Sequence, residues 1–497
     1  MCIRDRYKVM INFDNSYSKL PDIFFERIKP IPVKDPELIR FNKPLGEKLG
    51  LNLSEDKSLL SAIFSGNKIP EGSEPIALLY AGHQFGYFVP QLGDGRAILL
   101  GEVVNKDGRR FDIQLKGSGQ TSYSRGGDGR APLGPVIREY IMSEAMHALN
   151  IPTTRTLAIA TTGEMVSREP LLPGGILTRI ASSHLRVGTF EYFAASEDLV
   201  NLQLLADYAI NRHFPNLEND DHRYQKFLES VCDNQASLIA KWMHVGFIHG
   251  VMNTDNTTIS GETIDYGPCA FMDNYSPNTV FSSIDHRGRY AYGNQPNVAQ
   301  WNLACLGECL LPLIHSDRNK AIQFIEEILS DFESKFRNYW LSSMYKKIGL
   351  LDDKKSNYVV LEELLQLMEK DKADFTLTFR YLSDLVGKEN GNSNFKQQFS
   401  SKDKVDSWIV KWKECLKEEN RPEKVIKESM LKINPSFIPR NHRVEEAIYE
   451  AVNNYNYDYM DRLVQLLSKP YEHQPDNTEY MQPPEKYDEN YQTFCGT

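Results

Sequence analysis

The sequence predicts an α+β protein of two lobes, a β-rich one followed by a helical one, with an N-terminal arm in front and a helical extension behind. Three observations carry that prediction. From about Ile76 to Leu177, short β-branched and apolar runs are punctuated by glycine, the texture of strands joined by tight turns. After about Ser182, apolar residues recur at helical spacing. The chain has 497 residues, 41% of them hydrophobic and 25% charged, an ordinary globular composition with room for roughly two to four core-forming units.

Taken in order, residues 1–9 show no periodicity, and Met10 reads as a more plausible start. Residues 20–75 are interrupted by Pro21, Pro30, Pro32, Pro36, Pro44, Pro70 and Pro75, so they read as an arm laid over something larger. Strand-like runs follow at Arg96–Val104, Arg110–Lys116, Leu157–Thr161 and Ile176–Ile180. One helix interrupts them, Pro135–Leu149, with proline in its first turn. Tyr224–Val245 and Ile322–Trp340 carry helical patterns, and between them lie two short strand signals, Thr257–Ile259 and Thr263–Ile264. Helical patterns resume over 352–388 and 403–463, before a polar, tyrosine-rich tail. The boundaries predicted are therefore an arm over 1–75, lobes over 76–181 and 182–345, and the extension over 346–497.

Composition excludes several classes. Asp and Glu total 67 against 57 Lys and Arg, a net charge of −10, which argues against a nucleic-acid binder that works by neutralising phosphates. No apolar run approaches the roughly 18 residues of a membrane span, and the N-terminus has no signal-peptide core. The expectation is a soluble, cytoplasmic protein with no membrane partner. The 7 cysteines are scattered and form no CxxC pair, so neither a disulfide framework nor a zinc site is expected. Cys305 and Cys309 share an apolar helix face and read as core. Cys495, in the polar tail, reads as an exposed thiol with a possible redox role.

The chemistry is carried by an ordered set. Phe88–Glu102 reads as strand, Gly93-Asp94-Gly95-Arg96 turn, strand, a glycine hairpin whose backbone N–H groups can approach a phosphate. Lys116 closes the next strand, and Glu139 in the following helix is placed to pair with it, Glu144 being the alternative. His249 to Asn256, then Asp265-Tyr266-Gly267, match the order of a kinase-like catalytic loop and metal triplet. Asn256 and Asp265 supply oxygen ligands suited to Mg²⁺. Val251 stands where a kinase has its catalytic aspartate, and an alkyl group cannot accept a proton, so ordinary phosphoryl transfer is disfavoured. The remaining carboxylate of the loop is Asp255. This order of elements and residues predicts a protein-kinase-like fold.

Seven motifs, among them Tyr80–Gly86, Leu92–Arg96, Gln114–Gly119, Arg125–Arg130, Ser183–Phe190, His249–Asn256 and Asn434–Arg443, resemble those of the selenoprotein O family of protein adenylyltransferases, over nearly the whole chain from about Leu20. The resemblance implies a kinase-like fold that binds ATP reversed and transfers AMP. It assigns Gly93, Gly95 and Arg96 to phosphate contacts, and Lys116, Asp128 and Gly129 to further nucleotide contacts. Arg179 and Arg186 bind the inverted phosphate tail, Asp255 is the base, and Asn256 and Asp265 hold Mg²⁺, with Asp265 also counted among the nucleotide contacts. Family members often carry selenocysteine or cysteine near the C-terminus, where this chain has Cys495.

The reading is a Mg²⁺-dependent enzyme moving AMP from ATP to Ser, Thr or Tyr hydroxyls of proteins with release of pyrophosphate. Three rivals share its residues: a kinase with Asp255 as displaced base, a uridylyltransferase using UTP and Mn²⁺, and a non-catalytic nucleotide-binding scaffold.

Overall fold

The computed structural model describes residues 11–51, 56–351, 353–388, 393–486 and 491–494. It is a mixed α+β structure built on one antiparallel sheet. Its strands are β1 (Phe25–Arg27), β2 (Leu38–Phe41), β3 (Ile76–Leu78), β6 (Ala97–Val104), β7 (Arg110–Lys116), β9 (Arg155–Val166) and β10 (Leu172–Ala181), in the order β1-β3-β6-β7-β10-β9-β2, with β8 (Ala131–Pro132) paired to β10. Two small ribbons stand apart, β4 (Gly82–Gln84) with β5 (Tyr87–Val89), and β11 (Phe247–Ile248) with β12 (Ala270–Phe271).

The period-two pattern of the strands sorts side chains onto two faces. Leu100, Ile113, Leu115, Ile176 and Ile180 turn to the arm, whose helices α1 (Lys43–Lys48) and α2 (Lys57–Phe64) cover them with Leu45, Leu60 and Phe64. Leu99, Ile159 and Leu177 face the main core, shared with α3 (Leu133–Ala148). The arm thus does more than lie over the sheet, because it supplies two of its strands.

The chain then runs through α4 (Val187–Ala195), α5 (Leu199–His213), α6 (Arg223–Val245), α7 (Gln295–Ile314) and α8 (Arg318–Lys347). α6 stops at Gly246, whose φ of 75° is the left-handed cap a glycine takes at no steric cost. α8 starts at Asp317, whose side chain accepts from Asn319 N and Lys320 N. Cys305 and Cys309 are buried in α7, as the pattern predicts.

Three expectations need correction. Phe88 does not form a hairpin with the strand after Gly95: β5 pairs with β4, and β6 pairs with β3 and β7. The two strand signals around Thr258 and Thr263 form no strands, only isolated bridges, Thr258 to Arg186 and Thr263 to Thr153. The described parts of the tail include packed residues: Tyr480 is buried, and Thr493 is 1% exposed and bridges Ser282. A polar tyrosine-rich run can bury its rings while its hydroxyls reach partners, as Tyr491 does with Glu445. Cys2 and Cys495 lie outside the described residues.

Candidate active site

Lys116 ends β7 between Ala97 and Leu177 of the flanking strands, so its side chain leaves the sheet at the rim of a cleft of about 450 Å³. Its Nζ lies 2.7 Å from Glu139 Oε2 and 2.8 Å from Asp265 Oδ1. Glu139 is therefore the partner; Glu144 binds Arg155 and Asn42 instead. Arg179, on β10 opposite Gln114, lies with Nη2 2.5 Å from Glu139 Oε1 and 2.6 Å from Asp265 Oδ1. Arg186 sits at the N-terminus of α4, donates to the Asp255 carbonyl at 2.9 Å, and reaches Asp265 Oδ2 at 3.5 Å.

Three cations thus converge on one carboxylate. Burial pulls the Asp265 carboxyl upward, but Arg179, Lys116 and Arg186 outweigh it and hold the group well below the usual carboxylate range. Asp265 also takes φ of 63°, a left-handed conformation costly for a residue with a Cβ. Opposite it, burial pushes Asp255 up to about 6 against the pull of Arg186. Asp255 Oδ1 is buried with no hydrogen-bond partner, while Oδ2 accepts from Gln84 Nε2 at 3.4 Å.

The glycine loop is shaped by contact. A Cβ on Gly93 would stand 2.4 Å from the Tyr123 ring, and one on Gly95 would stand 2.7 Å from the Tyr123 carbonyl. Asp94 points inward, accepting from Gln114 Nε2 at 2.9 Å, so the backbone of its neighbours faces the cleft that Arg96 also lines. Asp128 is gripped by both Nη atoms of Arg168, at 2.9 and 3.2 Å, beside Gly129 at φ of 67°.

His249 is fully buried, stacked on Trp242 and bonded through Nε2 to the Ile264 carbonyl at 2.8 Å. It braces the loop and does not face the cleft. Val251 lines the cleft, and its carbonyl accepts from Asn256 Nδ2 at 3.0 Å, which leaves the amide oxygen as that side chain's acceptor. Asn256 and Asp265 both line the cleft, and their hard oxygen donors fit a divalent cation that takes few protein ligands and completes its shell with phosphate oxygens.

The structure brings together Gly93, Gly95, Arg96, Lys116, Asp128, Gly129, Arg179, Arg186, Asp255, Asn256 and Asp265 around one cleft, with Glu139 directly behind Lys116. Sequence reasoning missed Gln84, Asn253 and Arg168, which line it too. The signal for Gln84 was present in the Tyr80–Gly86 motif, but nothing in its residue types ties an amide to a loop 171 positions away. A larger cavity of about 710 Å³, around Tyr449 and Tyr459, holds none of these groups.

Comparison with known proteins gives the family. The family model described as protein adenylyltransferase SelO matches residues 8–468. The protein nucleotidyltransferase YdiU of Maridesulfovibrio salexigens is 56% identical over 486 residues, covering 98% of each chain. That of Rhizobium etli is 53% identical over 485 residues, covering 98% of this chain and 97% of its own. With a family match over most of its length and such relatives along nearly all of it, the chain is a nucleotidyltransferase and belongs to the SelO family of protein adenylyltransferases.

Proposed function

We propose that the enzyme transfers AMP from ATP to Ser, Thr or Tyr hydroxyls of proteins, releasing pyrophosphate, on a two-lobed kinase-like frame divided at about residues 75, 181 and 345. The observation that carries the reading is the convergence of Lys116, Arg179 and Arg186 beside a loop with Val251 in the usual base position and Asp255 free to act.

The two buried arginines bring positive charge to the deep end of the cleft, which suits a pyrophosphate leaving group held there. That orientation turns the α-phosphorus toward Asp255. The Asp255 carboxylate takes the proton of the acceptor hydroxyl as the hydroxyl oxygen bonds to the α-phosphorus and the bond to pyrophosphate breaks. Burial serves this step, since a carboxyl at about 6 is largely ionised at neutral pH yet a better base than an exposed one. Gly93, Gly95 and Arg96 contact phosphate oxygens through backbone N–H groups and a guanidinium, and Asp128 and Gly129 contact the nucleoside end. Asn256 and Asp265 would hold Mg²⁺, or Mn²⁺, which when bound supplies charge neutralisation on the phosphates. The reading places the enzyme in the cytoplasm.

The relatives' name, protein nucleotidyltransferase, leaves the nucleotide open, so UMP transfer from UTP stands as a rival. Labelled nucleotides decide. Protein label is expected from α-labelled ATP with Mg²⁺ and not from γ-labelled ATP, with Asp265→Ala inactive. Label from the γ position overturns the reading in favour of a kinase. Preferential label from UTP with Mn²⁺ overturns it in favour of uridylylation, and nucleotide binding without label favours the scaffold.

A further inference from the structure

His83 is absent from the chemistry above, yet it touches the loop that carries it. The loop Asn253-Thr254-Asp255 is held on two sides by segments far away in sequence. From one side comes β4. The His83 backbone N–H donates to Thr254 Oγ1 at 2.6 Å, the Gln84 amide reaches Asp255, and the Phe85 N–H donates to Asn253 Oδ1 at 3.1 Å. From the other side comes α4. Arg186 at its start holds the Asp255 carbonyl, and Glu191, one turn further on, accepts from Thr254 Oγ1 through Oε2 at 2.6 Å. The triangle closes through His83, whose Nδ1 lies 2.5 Å from Glu191 Oε1.

Thr254 is fully buried, and its hydroxyl both donates and accepts, so its hydrogen-bonding capacity is spent on fixing position. β4 and α4 also meet closely: Ala81 N donates to the Gly188 carbonyl at 2.9 Å, and a Cβ on Gly188 would strike the Ala81 carbonyl at 2.2 Å. A Cβ on Gly82 would stand 3.1 Å from Asp255 Oδ1. A side chain there would crowd the carboxylate.

We infer that His83, Glu191 and Thr254 form a positioning triangle that fixes the Thr254-Asp255 backbone and with it the direction in which the Asp255 carboxylate meets the cleft. The inference rests on Asp255 acting as the base. Cys305 Sγ stands with the His83 and Glu191 ligand atoms, all within 4.8 Å of one another, which is also a metal-ligand geometry. Burial keeps that thiol protonated, up to about 12, and the short His83–Glu191 hydrogen bond already satisfies the other two groups.

Thr254→Val preserves shape and removes both hydrogen bonds. It is expected to lower kcat about 10- to 100-fold while the dissociation constant for ATP changes less than about threefold, because misplacing a reacting group by about 1 Å can cost about a hundredfold. Thr254→Ser, which restores the hydroxyl, should recover at least about half of the parent kcat. Glu191→Gln, which keeps the size and one acceptor, should fall between. A thermal melt with ATP shows which variants are folded, and Glu191→Gln serves if Thr254→Val is not. Full kcat in folded Thr254→Val overturns the inference, as does loss of nucleotide affinity in step with kcat. So does stoichiometric zinc in the purified protein that His83→Ala releases, since the triangle is then a metal site. If the parent labels protein from γ-labelled ATP, the reaction class above fails, but the kcat comparison among these variants still reads out with that label.

Discussion

Arg179 carries more of the site than a lone arginine in a strand announces. It is 2% exposed and shares Glu139 and Asp265 with Lys116, so two buried carboxylates depend on it. Removing one member of a buried ion-pair cluster typically costs about 3–5 kcal/mol, because the remaining charges lose their compensation. Arg179→Ala should therefore both abolish transfer and destabilise the fold by about 3 kcal/mol in urea unfolding; a loss under about 1 kcal/mol would mean the carboxylates find other partners. The Lys116–Glu139 pair was legible in the sequence because a lysine at a strand end and a glutamate in the next helix meet over a short loop of chain. Burial of Arg179 was not, since its partners lie 40 and 86 positions away, one of them in α3, and nothing in the residue types ties them to it.

At the scale of elements, the loop Gly126–Gly129 offers a paired test. Gly126 has φ of 81° with nothing within 4 Å of a new Cβ, whereas a Cβ on Gly129 would fall 2.1 Å from the Gly119 carbonyl carbon. Gly126→Ala should cost only the conformational term of about 1–2 kcal/mol. Gly129→Ala must also push the loop off its neighbour, so it should weaken nucleotide binding at least about tenfold in a titration; equal behaviour of the two variants would show that contact plays no part. The glycine pattern marked these loops, and the strand Arg110–Lys116 is legible to the residue. Which strands pair was not legible around Gly93, because a glycine turn looks the same whether its flanks pair with each other or elsewhere. Phe88 meets His83 across the ribbon, and Leu99 meets Ile76 and Gln114. The Thr161–Gly163 stretch hid the outer half of β9 for a similar reason, being polar and broken by glycine yet held by Glu37 and Asp35 of the arm.

For the molecule as a whole, protons decide stability in mild acid. Burial lowers His147, His184, His213, His244, His249 and His442, His213 to about 3. The unfolded chain takes up their protons as pH falls through about 6.5 and the folded chain only at lower pH, so stability present above that pH is lost below it at up to about 1.4 kcal/mol per pH unit for each group. Asp255 runs the other way, binding its proton in the folded state near 6 while an unfolded aspartate waits until about 4. Burial raises the Asp94, Glu262 and Asp374 carboxyls as well, so six imidazoles oppose four carboxyls, and thermal unfolding should shift downward between pH 6.5 and 5; an unchanged melting temperature over that range would contradict the burial of these imidazoles. No helix among the described residues is long and apolar enough to cross a membrane.

The arm has a further consequence for how copies of this protein meet one another. Both borders of the sheet come from one short stretch, β1 at one side and β2 at the other, with 3 and 4 residues each. Behind them lie strands whose unpaired backbones would template the addition of a neighbouring chain, and short border strands are how natural sheets blunt that hazard. Arg40 on β2 ties that border to Asp461, 421 positions on, so its closure is secured by the distant helical extension. A chain cut between Arg27 and Leu38 holds its two borders independently, and loss of either exposes an unpaired strand as a template for edge-to-edge aggregation.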